Sequence, residues 1–282
     1  MHSVLRIIRT GNTIVSFVGT LVGGLDVARF GGVAALGSWT PIVLAALSTA
    51  CVTAGGNVLN DLGDIESDRR NHPDRPLVTG EISPAESRWL AIGLFVVSIA
   101  AIVPLLLNHP ALGAIWAAAI LTLFVYELRL KSLGLAGNAC VAFLTAAVFL
   151  YGAAAVGSVQ PVVPFALMAF FATLSREVIK DMEDAEGDVD RATLPRTHGL
   201  AAASGVARLS AGVAIALSPS PFFLGLPLAS AGGIIYLALV AAADALFVAS
   251  VAWLPVRLHQ EQTTSKRGMT VALGAFLAFA WR

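Results

Sequence analysis

The feature that most constrains this chain is a series of apolar stretches, many of which run for about 20 residues. A helix of about 20 residues is needed to cross the roughly 30 Å hydrocarbon core of a bilayer. Hydrophobic residues make up 57% of the sequence and charged residues only 13%, whereas soluble domains carry about 25% charged residues. The sequence therefore predicts an all-α multispanning membrane protein.

Nine transmembrane helices are predicted from these stretches. They cover about 11–28, 41–60, 88–107, 111–128, 133–157, 161–180, 199–218, 229–254 and 267–282. The first follows Arg6 and Arg9 without a cleavage site, so we expect it to be retained. We expect one domain, 1–282.

The distribution of Lys and Arg predicts the orientation of the helices. The N-terminus and the even-numbered loops hold 15 of these residues, and the opposite side holds only Arg29 and Arg282. Because cytoplasmic loops collect basic residues, the N-terminus and the even-numbered loops are predicted to be cytoplasmic. The net charge is zero, so nothing indicates a nucleic-acid partner, and no obligate protein partner is implied.

Acidic residues are concentrated in two short segments. Of 18 Asp and Glu residues, seven lie in 61–86 and seven in 177–190. The pattern D-x-x-D-x-x-x-D occurs in both, each time after an apolar helix. This predicts an internal repeat of two helical hairpins, at about 41–130 and 161–258, that present equivalent carboxylates to one centre.

The spacing of these carboxylates indicates a metal site. Residues four apart lie on one face of a helix, so their like charges repel unless a cation lies among them. Oxygen ligands without His or Cys select a hard ion, Mg²⁺ first, and protein-bound Mg²⁺ often bridges to substrate phosphates. The candidate ligands are Asn60, Asp64 and Asp68 in the first segment and Asp181, Asp184 and Asp188 in the second.

Basic and polar residues near the carboxylates are candidates for binding a diphosphate. Any one of the arginines has a second interpretation, as a positive-inside anchor of the membrane protein. The candidates are Arg69 and Arg75 in the first segment, Arg176 and Lys180 in the second, Lys131 in the loop YELRLK, and Arg9 and Asn12 at the start of the first helix.

These motifs resemble those of the UbiA superfamily of intramembrane prenyltransferases. The resemblance covers nearly the whole chain. It rests on N-x-x-x-D-x-x-x-D at residues 60–68, N-x-P-x-R-P-x-x-x-G at 71–80, D-x-x-x-D at 184–188, and YELRLK at 126–131, which is similar to Y-S-x-x-L-K with Glu127 in place of Ser. It implies nine helices around a cavity that opens sideways to lipid, two Mg²⁺ ions, an isoprenyl diphosphate, and Tyr126 beside it.

The stretch 175–188 is most similar to the archaeal enzymes that transfer a geranylgeranyl group to geranylgeranylglyceryl phosphate. Two alternatives remain open at this point. One is a UbiA-type enzyme with an aromatic acceptor such as 4-hydroxybenzoate or homogentisate, and the other is a cation-coupled transporter.

For the transferase, the expected catalytic carboxylates are Asp61, Asp64, Asp68, Asp184 and Asp188. Asp61 lies off the row of metal ligands, so it is the candidate general base, with a third metal ligand as its other possible role. Arg208 and Asp244 lie within apolar helices, where ionisable groups are costly. We expect them to form a structural pair, with cavity lining as the alternative.

Overall fold

The computed structural model describes residues 2–30, 35–185, 187 and 191–279. Within these ranges, nine helices of 16 or more residues form the frame of the protein. They are α1 (Thr10–Phe30), α2 (Ala35–Gly63), α3 (Pro84–Ile102), α4 (Pro110–Val125), α5 (Leu135–Ala154), α6 (Val163–Glu183), α7 (Leu194–Leu217), α8 (Ala231–Ala252) and α9 (Leu258–Phe279).

Eight of these nine helices are long and apolar enough to cross a membrane. The exception is α9, whose first turns contain His259, Glu261, Lys266 and Arg267. The protein is thus an all-α, multi-pass membrane protein, as the apolar stretches predicted. The internal repeat of residues 41–130 and 161–258 stays a prediction.

The expected start of the ninth helix, at residue 267, is wrong, because α9 begins at Leu258. Hydropathy identified only the apolar part of the helix. Its polar first turns are stabilised by packing, since Glu261, Ser265 and Gly268 are buried there. In addition, His259 Nδ1 lies 2.7 Å from Glu183 Oε1 at the end of α6. Residues 280–282, at the end of the predicted helix, lie outside the described residues.

Two short elements shape the ends of the long helices near the polar loops. A helix at Ile65–Asn71 follows α2 after a single non-helical residue, Asp64. A π-helical turn, Tyr126–Leu130, follows α4 and is closed by a hydrogen bond from Lys131 N to Tyr126 O (2.9 Å). Both elements continue their helices past the apolar segment, so polar side chains project from the ends of the helices.

The even-numbered loops meet on one side of the protein. Lys131, after α4, and Arg191, between α6 and α7, both approach Asp64, after α2. Arg9, before α1, contacts Asp61 at the end of α2. These ion pairs agree with the topology that the distribution of basic residues predicted.

The helices surround one large cavity. α5 packs against α1, α4 and α6, while α6 packs against α7 and α9, and α8 against α9. On the side away from the polar loops, an aromatic cluster closes the centre, where the ring of Phe165 packs at an angle against the rings of Phe276 and Phe279. Every long helix except α3 contributes residues to the cavity wall.

Glycine allows α1 and α5 to come into backbone contact. A Cβ atom at Gly152 of α5 would overlap the carbonyl oxygen of Thr20, and one at Gly23 of α1 would overlap that of Phe149. Such close approach of backbones is typical of small residues at membrane helix interfaces. This contact fixes the position of α1 at the cavity wall.

We expect Gly152→Ala to lower the stability of the protein by about 1–3 kcal/mol, because the added methyl group forces two backbones apart. The measurement is thermal unfolding in detergent. Gly93→Ala on α3 is the matched control, since a Cβ there meets nothing within 4 Å. Equal unfolding midpoints for the two variants would contradict the close contact.

Candidate active site

The cavity has a volume of about 920 Å³ and combines an apolar interior with a polar end. Apolar side chains such as Val52, Leu123, Val148, Met168 and Phe247 line its interior. The polar end lies where α2, α4 and α6 reach the converging loops. A ligand with an apolar tail and a charged head would match this division.

The first acidic motif lies along one wall of the polar end. Asn60, Asp64 and Asp68 all line the cavity, as their four-residue spacing predicted. The helical rise persists through the break after α2, because Asp64 N donates to Asn60 O (3.0 Å) and Asp68 N to Asp64 O (2.8 Å). The three side chains are therefore presented on successive turns.

Asp61 occupies a different environment from its neighbours. It is only 3% exposed and does not line the cavity. Arg9 Nη2 lies 2.6 Å from its carboxylate and Arg75 Nη1 lies 3.1 Å from it. Asp61 thus holds two guanidinium groups whose own side chains line the cavity. This placement favours a positioning role over the proton-accepting role expected from the sequence.

The backbone of Arg9 is part of this arrangement. Its φ of 49° is in the left-handed region, which non-glycine residues rarely adopt. The residue joins the short helix His2–Ile7 to α1, and the turn directs its guanidinium toward α2. There it also donates to Asn60 Oδ1 at 3.1 Å. Unusual backbone conformations of this kind are concentrated at functional sites.

Asp68 is buried at the polar end and pairs with Arg75, with 2.5 Å between Nη1 and Oδ2. Burial raises the pKa of Asp68 above the usual aspartate value, while the Arg75 guanidinium acts to lower it. Desolvation of the carboxylate is therefore only partly compensated, and a further cation near Asp68 would favour its charged form.

The third loop supplies both a cation and a carboxylate. Lys131 Nζ lies 2.6 Å from Asp64 and 3.2 Å from Glu127. Asn60 Nδ2 donates to Glu127 Oε1 at 2.9 Å. The π-helical turn brings Tyr126, Glu127 and Lys131 to the cavity wall together. Glu127 was not among the candidate site residues, although a carboxylate at the end of an apolar helix was a signal for it.

The second acidic motif is divided between two environments. Asp184, just after α6, lines the cavity, whereas Asp181 does not. Asp181 accepts a hydrogen bond from Asn138 Nδ2 (2.8 Å), which joins α6 to α5. Asp188 lies outside the described residues. α6 and its end carry four carboxylates, and three of them line the cavity: Glu177, Glu183 and Asp184. Glu177 and Glu183 were not predicted from the sequence.

The predicted diphosphate-binding residues nearly all line the polar end. Arg69 is the exception, because it points into solvent and pairs with Glu66 on the same short helix. Sequence reasoning also omitted several lining residues from loops and helix starts. The predicted residues in the wall are Arg9, Asn12, Arg75, Tyr126, Lys131, Arg176 and Lys180, together with Arg70 beside the first motif, and the omitted ones include His72, Arg191 and Lys266.

The residues at the polar end fit a magnesium ion. Asn60, Asp64, Asp68 and Asp184 offer carboxylate and amide oxygens to one space. Among the described residues, no three His, Cys, Asp or Glu side chains converge on one point to form a complete site. Mg²⁺ binds through one or two carboxylates and completes its coordination with water and substrate phosphate, so the oxygens of these lining residues are of the kind that would hold it.

The expected structural pair of Arg208 and Asp244 is wrong. Arg208 on α7 donates to the carbonyl oxygens of Val251 and Leu254, at the C-terminal end of α8. Asp244 accepts a hydrogen bond from Ser218 at 2.7 Å and lines the cavity. The exposed carbonyl groups of a helix end are strong acceptors for a guanidinium, which explains the choice of partner.

Comparison with known proteins identifies the class of this site. The sequence profile of the UbiA prenyltransferase family matches residues 17–280. The chain belongs to the UbiA prenyltransferase family. It is therefore a prenyltransferase, and the resemblance found in its motifs is confirmed. A transporter is excluded as its primary function.

Two curated relatives cover the chain almost completely. The digeranylgeranylglyceryl phosphate synthase of Methanopyrus kandleri is 36% identical over 99% of this chain and 99% of its own. The enzyme of the same name from Methanoculleus marisnigri is 36% identical over 96% of both chains.

Solved structures of this family share the fold. A structure concerned with digeranylgeranylglyceryl phosphate synthase in membranes matches with a TM-score of 0.77 and 31% identity, over 99% of this chain and 98% of that one. A UbiA homologue from Archaeoglobus fulgidus bound to GPP and Mg²⁺ matches with a TM-score of 0.65 and 19% identity, over 99% and 98% of the two chains.

We expect Asp61→Asn to raise KM for the isoprenyl diphosphate by about tenfold while kcat changes little, because the variant releases Arg9 and Arg75 from their shared carboxylate. Steady-state kinetics across a range of pH would measure this. A loss of kcat at constant KM, together with loss of an ionisation in the pH profile, would instead identify Asp61 as the general base.

Proposed function

We propose that this prenyltransferase transfers a geranylgeranyl group from geranylgeranyl diphosphate to the hydroxyl group of geranylgeranylglyceryl phosphate. The product carries the second ether bond of archaeal membrane lipids. Support comes from the curated relatives, which are named for this activity and match nearly the full chain. The observation that carries the proposal is the large cavity in which a charged end meets an apolar interior.

In this proposal the two acidic motifs together hold Mg²⁺. Asn60, Asp64 and Asp68 would supply oxygens from the first motif, and Asp184 would supply them from the second, with Asp188 as the further ligand that the motif predicts. A bound Mg²⁺ would supply positive charge at the diphosphate, which would favour cleavage of the bond between the diphosphate oxygen and the allylic carbon. Two ions would match the two motifs. Asp181, held by Asn138, contributes by joining α5 and α6 behind the site.

The basic residues of the polar end bind the diphosphate and stabilise it as it leaves. Arg9 and Arg75 are oriented by Asp61, and Lys131 lies against Asp64, so these cations are already in place before substrate arrives. Preorganised charges aimed at a leaving group are among the largest contributions to catalysis. Tyr126, Arg176 and Lys180 complete this part of the wall.

The apolar interior protects the reacting carbon from water. As the bond from the allylic carbon C1 to the diphosphate oxygen breaks, the acceptor oxygen forms the new ether bond to C1 and its proton passes to a lining carboxylate or to the released diphosphate. Side chains such as Leu123 and Met168 keep the chain dry, so that water does not compete with the acceptor.

We also propose that the polar end faces the cytoplasm, with the N-terminus on the same side. The asymmetry of 15 basic residues against two supports this orientation.

The decisive experiment supplies the detergent-purified protein with geranylgeranyl diphosphate, Mg²⁺ and one acceptor at a time. The acceptors are geranylgeranylglyceryl phosphate, 4-hydroxybenzoate and homogentisate, and mass spectrometry identifies the products. We expect a product only with the glyceryl phosphate, abolished by EDTA and restored by Mg²⁺. A product only with an aromatic acceptor would overturn the proposed substrate and keep the prenyltransferase chemistry.

We expect Asp64→Asn and Asp184→Asn each to lower kcat/KM by about a hundredfold or more, since each removes a negative charge where the metal and diphosphate meet. Raising the Mg²⁺ concentration should recover part of the loss. Glu66→Gln is the control, because Glu66 lies on the same short helix as Asp68 and its side chain is 81% exposed. Full activity in Asp64→Asn would remove the first motif from the metal site.

A further inference from the structure

The cations that line the cavity differ in whether they are neutralised within the protein. Five of the eight lie within ion-pair distance of a carboxylate: Arg9, Arg75, Lys131, Arg176 and Arg191. A sixth, Arg70, also has an interaction partner within the protein. Lys180 and Lys266 also line the cavity, and neither has an ion-pair partner in the described part of the chain. Their charges are available to an anionic ligand without breaking an internal contact.

The register of α6 and α9 brings Lys266 toward Lys180. The two helices run in opposite directions, because His259 at the start of α9 meets Glu183 at the end of α6, while Phe279 packs on Phe165 at the other ends. At a rise of 1.5 Å per residue, Lys266 begins about 10 Å below His259. A lysine side chain extends back toward the polar side, to the level of Lys180.

Lys266 lies on the side of the cavity where α9 approaches α1. Lys266 and Thr270 on α9 line the cavity and are exposed. Asn12 and Val15 on α1 share both properties. Deeper in the protein, Val22 of α1 and Phe276 of α9 belong to one buried cluster. The wall between α1 and α9 is therefore closed at depth and lined by exposed residues at the level of Lys266.

The polarity of α9 changes at this level. The polar turns of α9 end at Arg267, and the apolar part of the helix follows from Gly268. A lipid that entered between α1 and α9 would keep its chain at the depth of the apolar segment and its headgroup near Lys266. A phosphate headgroup carries one to two negative charges and accepts hydrogen bonds from ammonium groups.

We propose that Lys266 forms a subsite for the phosphate monoester of a lipid acceptor, distinct from Arg9, Arg75 and Lys131, with Lys180 shared between this subsite and the residues that bind the diphosphate. The subsite selects a phosphorylated lipid over a neutral or aromatic acceptor. This subsite rests on the proposed function, because it assigns a position to the phosphate of the acceptor. The phosphate is the charged group of the acceptor, and the prenyl chain has no such group. Lys266 thereby determines acceptor specificity without contacting the reacting atoms.

The neighbouring residue Arg267 provides a matched control. It carries the same charge on the next position of the same helix and is exposed, but it does not line the cavity. A general effect of positive charge at the membrane surface would depend on both residues. Binding within the cavity would depend on Lys266 alone.

The test compares the wild-type protein with Lys266→Ala, Lys266→Arg and Arg267→Ala. We expect Lys266→Ala to raise KM for geranylgeranylglyceryl phosphate about tenfold, equivalent to about 1.4 kcal/mol, with kcat and KM for the diphosphate unchanged. Lys266→Arg should keep most of the affinity, and Arg267→Ala should match the wild type. The inhibition constant of the dephosphorylated acceptor should be the same in all four proteins.

An unchanged KM in Lys266→Ala, or an equal rise in Arg267→Ala, would overturn the subsite while leaving the proposed function intact. Weaker inhibition by the dephosphorylated acceptor in Lys266→Ala would also overturn it, since that ligand has no phosphate to bind. Failure of the wild-type protein to use the glyceryl phosphate would refute the proposed function and the subsite together.

Discussion

Neutralisation of charge at the polar end of the cavity is the constraint on which the remaining architecture depends. Asp61 is nearly inaccessible to solvent and is tolerated there because Arg9 and Arg75 both contact it. Removing one partner of a buried pair is expensive, because it leaves an uncompensated charge. The pairs also join segments that are distant in sequence, so the same contacts that make the charges tolerable hold the loops over the cavity. Site and fold are therefore stabilised by one set of interactions.

Helical periodicity and the distribution of charge were enough to predict the fold class and much of the polar end. The row of Asn60, Asp64 and Asp68 follows from their spacing, because even the interrupted helix keeps the same hydrogen-bond register. The common side of the even-numbered loops follows from counting basic residues. The row of side chains depends on local helix geometry, and the common side of the loops depends on the membrane as a solvent. Both can be predicted directly from the sequence.

Other parts of the site depend on tertiary contacts that no local pattern encodes. Asp61 and Asp181 belong to the same repeated motif as the lining carboxylates, yet each is turned toward a partner on another segment, Arg9 or Asn138. The left-handed backbone of Arg9 was likewise invisible in the sequence. The polar start of α9 was missed for a related reason. Hydropathy detects apolar segments that face lipid, and it does not detect polar residues that are buried against neighbouring helices. Arg208 shows that a helix end can compete with a carboxylate for an arginine.

The location of Lys266 on α9 has a consequence for how this scaffold can diversify. The carboxylates and paired cations of the polar end lie on α2, α4, α6, the segments next to them and the turn before α1. Lys266, which has no ion-pair partner among the described residues, belongs to α9, which carries none of them. If Lys266 binds the acceptor as proposed, substitutions on the exposed face of α9 can change which acceptor binds. The residues that activate the prenyl donor then stay the same. Acceptor choice and donor activation are thus separable traits, open to independent selection and to engineering one helix at a time.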